Sequence, residues 1–312
     1  MAETIDFPSL SLQDALDLAI LVEEEARAAC GKKYAHRVGK MSKSKRNYRE
    51  PQEIFRRYGA DALRWYFFAN QAPWNSIIYS EKSIRENIPE FLLRLWNVYS
   101  FFVTYANIDG VQPEGAPKNA ENPMDRWILS ETQALIQQVT EQMELYDLQK
   151  AIDPIVAFID SLNNWYIRRC RPRFWRSSSK NDGDKRQAYQ TLYSVLLTLV
   201  QVAAPFIPFI TEEIYRNLKA KGLPESVHLT DFPTHASGRR DPQLEEKMAL
   251  TRRAVSMGRA LRTLHNLKTR QPLKALYLVT KDQQEKRILI EMEELIKDEL
   301  NVRGVVFREN EE

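Results

Sequence analysis

Three observations predict a mainly α-helical protein that ends in a small α/β unit. Apolar residues recur at helical spacing through most of the chain beyond residue 50, the breaks between these stretches are short and carry proline or glycine, and the pattern changes beyond Pro242 to one with two probable strands. The 312 residues, 43% of them hydrophobic, suffice to bury two modest cores. Net charge is only +3, so strongly basic character is local.

The elements follow in order. Ser11 to Asp14 reads as a capping box, and Leu12, Ala15, Leu16, Ala19, Val22 and Ala26 repeat at helical spacing, which predicts an amphipathic helix from Leu12 to about Ala29. It is acidic (Asp14, Asp17, Glu23, Glu24, Glu25) and either covers apolar surface, the preferred reading, or docks on the basic segment that follows. Pro51 is placed for the first turn of a helix from Gln52 to Tyr58, and Gly59 breaks it before a second helix from Ala60 to Ala69. Ile88, Phe91, Leu92, Leu95, Tyr99, Phe102 and Ala106 mark one face of the next, with Pro89 in its first turn or at a kink. The stretch from Val111 to Pro123, with three prolines, reads as a linker.

Trp127, Leu135, Ile136, Val139 and Met143 mark a further helix, and Ile152, Ile155, Val156, Ile159 and Leu162 the one after. A polar loop from Ser177 to Gly183 precedes a helix from Arg186 to Ala203. Pro205 and Pro208 reset the chain before a last helix that ends near Gly222. Helices joined this briefly predict an antiparallel bundle. From Pro242 the pattern changes to a charged helix from Gln243 to about Leu267, a strand Ala275 to Val279, a helix Gln283 to Leu300 and a strand Val302 to Phe307.

Two segments carry chemistry. From Lys32 to Arg49 there are eight Lys/Arg and no Asp/Glu, as a loop that handles polyphosphate or a nucleic-acid backbone requires. Between Trp165 and Arg176, Arg168, Arg169, Arg171, Arg173 and Arg176 are interleaved with aromatics, which suits an RNA surface because guanidinium groups pair with phosphates and stack on splayed bases. Trp165, Phe174 and Trp175 are read as core and the five arginines as RNA contacts. Arg259, Arg262, Lys268 and Arg270 extend the cationic track or solvate a helix face. Cys30 and Cys170 fit no CxxC pattern, which argues against structural zinc and for a reducing, cytoplasmic setting. The N-terminus is acidic and no apolar run reaches membrane-spanning length, so neither a signal peptide nor a membrane helix is expected.

The basic loop contains Lys40-Met41-Ser42-Lys43-Ser44 and is followed by Gly59-Ala60-Asp61-Ala62-Leu63-Arg64-Trp65, LWNVYSFFVTYANID (95–109), MDRWILS (124–130), NWYIRRCRPRFW (164–175), APFIPFITEEIY (204–215) and SVHLTDFP (226–233). In order and spacing these blocks resemble the C-terminal half of class I aminoacyl-tRNA synthetases, the isoleucyl branch most closely, with the valyl and leucyl branches nearest to it. The resemblance implies an ATP site at Lys40, Met41, Ser42, Lys43 and Ser44, with Lys40 and Lys43 catalytic because they stabilise the departing pyrophosphate. Arg46 stands where many members carry glycine, which reduces loop freedom. It further implies a KMSKS loop and stem-contact region (32–80), an anticodon-binding bundle (81–240) and a C-terminal α/β subdomain (241–312), after a non-family segment 1–31.

The partner implied is tRNA(Ile), contacted by Arg168, Arg169, Arg171, Arg173, Arg176, Lys268 and Arg270. No HIGH tetrapeptide and no alternating strand–helix series precede Lys40, and His36, His228, His235 and His265 stand in unrelated contexts. The expectation is therefore tRNA binding without adenylate formation by this chain alone. A stand-alone RNA-binding module, or one subunit of a split synthetase joined by a separate N-terminal half, are the alternatives.

Overall fold

The computed structural model describes residues 41–42, 49–72, 74–76, 79–112, 115–177 and 182–308. The acidic helix expected at 12–29 lies outside them. Helix α1 (Pro51–Tyr58) begins with proline where a missing N–H leaves nothing unpaired, and it ends at Gly59, whose φ of 85° suits glycine. Helix α2 (Ala60–Asn70) starts at once. Helix α3 (Glu81–Asn87) is capped by Ser80 Oγ, which accepts from the Ser83 amide at 3.2 Å.

Pro89 stands in the first turn of a helical irregularity, in keeping with the two expected placements. It sits in a π-helical turn, Ile88–Leu92, that joins α3 to α4 (Leu93–Asp109). Proline lacks the N–H that an α-helix would direct to the carbonyl four residues back, and a wider turn accommodates that loss. Asn122 and Pro123 start α5 (Pro123–Glu144). Helix α6 (Leu148–Asp160) runs through a second π-helical stretch, Ser161–Ile167, into α7 (Arg168–Trp175), so the arginine-rich segment continues the preceding helix. Asp182 caps α8 (Gly183–Ala203), which therefore begins three residues before the expected Arg186. Helix α9 (Pro208–Leu218) stops short of Gly222.

Helix α10 (Pro242–Leu264), capped by Asp241, leads into the α/β unit: β1 (Leu276–Val279), α11 (Gln283–Glu291), α12 (Glu293–Leu300) and β2 (Val305–Arg308). The single helix expected over Gln283–Leu300 is broken at Met292; Ile288 and Leu289 on one piece and Ile296 and Leu300 on the other are buried. The strands are shorter than expected and pair in parallel, Leu276 opposite Val305; Val302 only bridges to Leu273.

Among the described residues the chain is mostly helical, with this two-stranded sheet. Helix α5 packs on α6 and α8, α8 on α9, α2 on α6, and α10 on α11 and α12. One continuous buried cluster extends from Ile54 to Val302, with Trp65 stacked on Phe91 at 4.1 Å, so the α/β unit shares its core with the helices. Helix α2 also holds the α8–α9 corner. The Asp61 carboxylate accepts from the Phe209 and Ile210 amides at 3.3 and 2.7 Å, and Arg64 donates to the Pro205 and Phe206 carbonyls at 2.8 and 3.1 Å. None of the helices described is long and apolar enough to cross a membrane.

Candidate nucleic-acid interface

The π-helical register turns Asp160, Asn164, Trp165 and Arg168 toward α10, which presents Arg252, Arg253, Ser256 and Arg259 at helical spacing. Between the two lies an open cleft of 580 Å³ whose lining includes four arginines and one carboxylate, Asp160. Such a cleft concentrates positive potential toward an incoming anion. Arg252 forms its floor, donating to Ser161 Oγ at 2.7 Å and Asp160 Oδ2 at 3.3 Å, with its guanidinium over the Trp127 and Trp165 rings at 5.7 and 5.8 Å. Arg253 is exposed and has no ion-pair partner among the described residues. Neither Arg252 nor Arg253 stood out in the sequence. Both lie in a charged helix, and only the packing of α10 against the α6–α7 rod turns them toward Arg168.

The five arginines of the 165–176 segment divide by helix face. Arg171 is exposed beside the ring of Trp175, 6.0 Å from its centroid, and has no acidic partner among the described residues. Arg168 is bonded to Glu299 and donates to the Asn164 carbonyl at 2.8 Å, with much of its guanidinium still open to the cleft. Arg169 pairs with Glu299 at 2.6 Å and Asp298 at 2.9 Å. Arg176 pairs with Asp182 and Asp184 at 2.6 and 2.8 Å.

Arg173 belongs to the core instead of a surface. It is 9% exposed, makes two 2.8 Å bonds to the fully buried Asp125 and reaches Asp184 at 2.7 Å, while Tyr166 Oη donates to Asp125 at 2.7 Å. Burial works against its charge, but the Asp125 bonds outweigh it and hold Arg173 more firmly protonated than a free guanidinium. The sequence signal was present, since Tyr166, Cys170, Arg173 and Phe174 share one helix face. Trp165 and Phe174 are buried as expected, whereas Trp175 is 57% exposed. Cys170 is buried against Arg173, and desolvation raises its thiol pKa to about 11.

In the third cationic stretch, Lys268 and Arg270 are exposed. Arg262 is buried and donates to the carbonyls of Lys268, Gln271, Leu300 and Asn301, which ties the end of α10 to the end of α12. Of the loop residues, Lys40, Lys43 and Ser44 lie outside the described residues, while Met41 is exposed and Ser42 half-buried. Among the described residues no three His, Cys, Asp or Glu side chains come together as metal ligands would.

Residues 125–277 match the anticodon-binding domain of tRNA ligases, and residues 34–77 match the class I tRNA synthetases for I, L, M and V. Both matches point to the class I tRNA synthetases. Within that class it is homologous to isoleucine–tRNA ligases and corresponds to their C-terminal part. It is 50% identical to the isoleucine–tRNA ligase of Treponema denticola over 287 residues, covering 88% of this chain and 26% of the relative. Against that of Dehalococcoides mccartyi it is 45% identical over 274 residues, covering 86% and 27%. The chain thus spans about a quarter of the length of these curated relatives. It is also similar to the LeuRS chain of a ternary LeuRS–tRNA–LeuAMS complex from Agrobacterium radiobacter K84, at 18% identity and a TM-score of 0.48, over 87% of this chain and 31% of that one.

Proposed function

We propose that this polypeptide binds tRNA(Ile) as the C-terminal part of an isoleucine–tRNA ligase, with residues 81–240 as an antiparallel anticodon-binding bundle, 32–80 as the KMSKS loop and stem-contact region, and 241–312 as a C-terminal subdomain. The observation that carries the reading is the arginine-lined cleft between the α6–α7 rod and α10, which falls within the segment that matches an anticodon-binding domain. Arg168, Arg252, Arg253 and Arg259 line it, and Arg171 beside the exposed Trp175 adds a guanidinium and a stacking surface on the same rod. Lys268 and Arg270 continue the track. Arg169 and Arg176 contribute from the edge, through donors their carboxylates leave open, and Arg173 contributes indirectly by fixing the rod.

In the same reading, Lys40 and Lys43 contact ATP phosphates, aided by Met41, Ser42 and Ser44, and the setting is the cytoplasm. The 312 residues by themselves hold tRNA without forming the adenylate, because no HIGH-bearing nucleotide fold is encoded in them. Fluorescence anisotropy with a labelled isoleucine tRNA transcript over a salt series tests the proposal. Affinity is expected to fall steeply with salt and to drop on the order of tenfold or more in an Arg252→Ala/Arg253→Ala variant. Salt-independent or undetectable binding would refute it. ATP–pyrophosphate exchange with isoleucine is expected to be undetectable unless a separate N-terminal half is added.

A further inference from the structure

Glu299 is almost completely buried at the end of α12, yet its carboxylate is shared by three arginines from two other helices. Arg169 reaches Oε1 at 2.6 Å, Arg259 reaches Oε2 at 2.5 Å, and Arg168 bonds the same Oε2. Only 1% of the Glu299 side chain is accessible, against 39% for Arg168 and 40% for Arg259. Arg168 and Arg259 both line the cleft, one from each wall, and Glu299 lies behind them.

A guanidinium has five N–H donors in a fixed plane, and Glu299 engages only the Nη2 group of each cleft arginine. Arg168 also uses Nε on the Asn164 carbonyl. The remaining donors, Nη1 of Arg168 and both Nη1 and Nε of Arg259, stay available to an anion in the cleft. A carboxylate held this way therefore need not compete with phosphate. It fixes the planes of two otherwise flexible side chains, and fixing them beforehand removes rotamer entropy that binding would otherwise have to overcome. Gly258 lets the anchor come close, because a Cβ there would stand 2.5 Å from Leu300 Cδ1, next to Glu299 in α12.

We propose that Glu299 is a positioning residue for the RNA interface: from the α/β unit it orients Arg168 and Arg259 across the cleft, so that the two grip one stretch of phosphate backbone together. This rests on the RNA-binding reading above, and a salt-dependence experiment separates the two.

Binding of an isoleucine tRNA transcript is measured over a salt series for the whole 312-residue chain and for Glu299→Gln, Arg259→Ala, Leu300→Ala and the Glu299→Gln/Arg259→Ala pair. Gln keeps the shape of Glu and removes its charge. The expected result is that Glu299→Gln weakens binding about threefold to tenfold and lowers the slope of log K against log salt by on the order of 0.7 to 1.5, equivalent to one or two lost phosphate contacts. Arg259→Ala should do the same, and the pair should lose little more than either alone. Leu300→Ala, which loosens α12 without touching a charge, should leave the slope unchanged. Tighter binding or a steeper slope in Glu299→Gln would show that Glu299 only offsets charge, and additive losses or an equal slope change in Leu300→Ala would show that it only holds α12; each overturns the proposal. Failure of the unsubstituted chain to bind would instead refute the RNA reading itself.

Discussion

Asp61 and Arg64, one turn apart on α2, clamp opposite sides of the same distant corner: the carboxylate takes the first free amides of α9 and the guanidinium takes the carbonyls of Pro205 and Phe206 just before it. Helix ends leave exactly such groups unpaired, so two side chains on one face of α2 join segments about 145 residues apart. The resemblance block around Gly59 to Trp65 therefore has a structural role that its spelling did not announce.

Asp61→Ala is expected to destabilise the fold by about 0.5–2 kcal/mol, the usual loss for a helix cap. Burial raises the Asp61 pKa despite the two amide bonds and Arg64, so the charged form is not the one that burial favours. Asp61→Asn keeps a single acceptor oxygen and so retains one of the two amide bonds, and it should therefore lose less than Asp61→Ala. Urea unfolding at neutral pH compares them, and equal losses would contradict the cap.

Arg173 and Arg171 should behave oppositely. Arg173→Ala leaves Asp125 buried and charged without its partner, for an expected loss of about 3–5 kcal/mol in denaturant unfolding. Arg171→Ala should stay within about 0.5 kcal/mol of the original stability while weakening tRNA binding. A mild stability effect at Arg173 would mean that the Asp125 network does not hold the rod.

Gly258 and Leu300 should be coupled. Leu300→Ala alone removes buried methyl groups, with an expected loss of about 2–5 kcal/mol. Adding Gly258→Ala then refills part of the space and supplies a better helix former, so the double variant should be more stable than Leu300→Ala. The same Gly258→Ala change beside an intact Leu300 forces that side chain to shift and should be less favourable. Thermal melts of the four proteins give the sign of the coupling, and additivity would rule out close approach.

Acid sensitivity should centre partly on Asp109. Burial pushes its pKa up, but the Lys185 ammonium at 2.7 Å and the Tyr189 hydroxyl more than reverse this, leaving it below the ordinary carboxylate value. A group with a depressed folded pKa contributes stability that is complete above its unfolded value, about 3.9, and is lost as pH falls through the folded value. Asp109→Asn should therefore be less stable than the original at neutral pH, with the difference shrinking below about pH 4. A difference that stays constant down to pH 2 would argue against the ion pair.

Periodicity and punctuation in the sequence were sufficient to indicate α1, α2, α5, α8 and α10, because each is set off by a break such as Pro51, Gly59, the 111–123 linker, the 177–183 loop or the change of pattern at Pro242. The ordered blocks also carried the family. What periodicity could not decide was which polar groups face one another. Arg173 and Arg171 are two residues apart in one basic run, yet one is buried on Asp125 and the other faces solvent. Arg252 and Arg253 became cleft residues, and Glu299 an anchor, only through the packing of α10 and α12 on the rod. Helical spacing fixes the direction of a side chain relative to its own axis; whether that direction meets a carboxylate, a core or open water depends on the neighbouring helix, which lies far away in sequence.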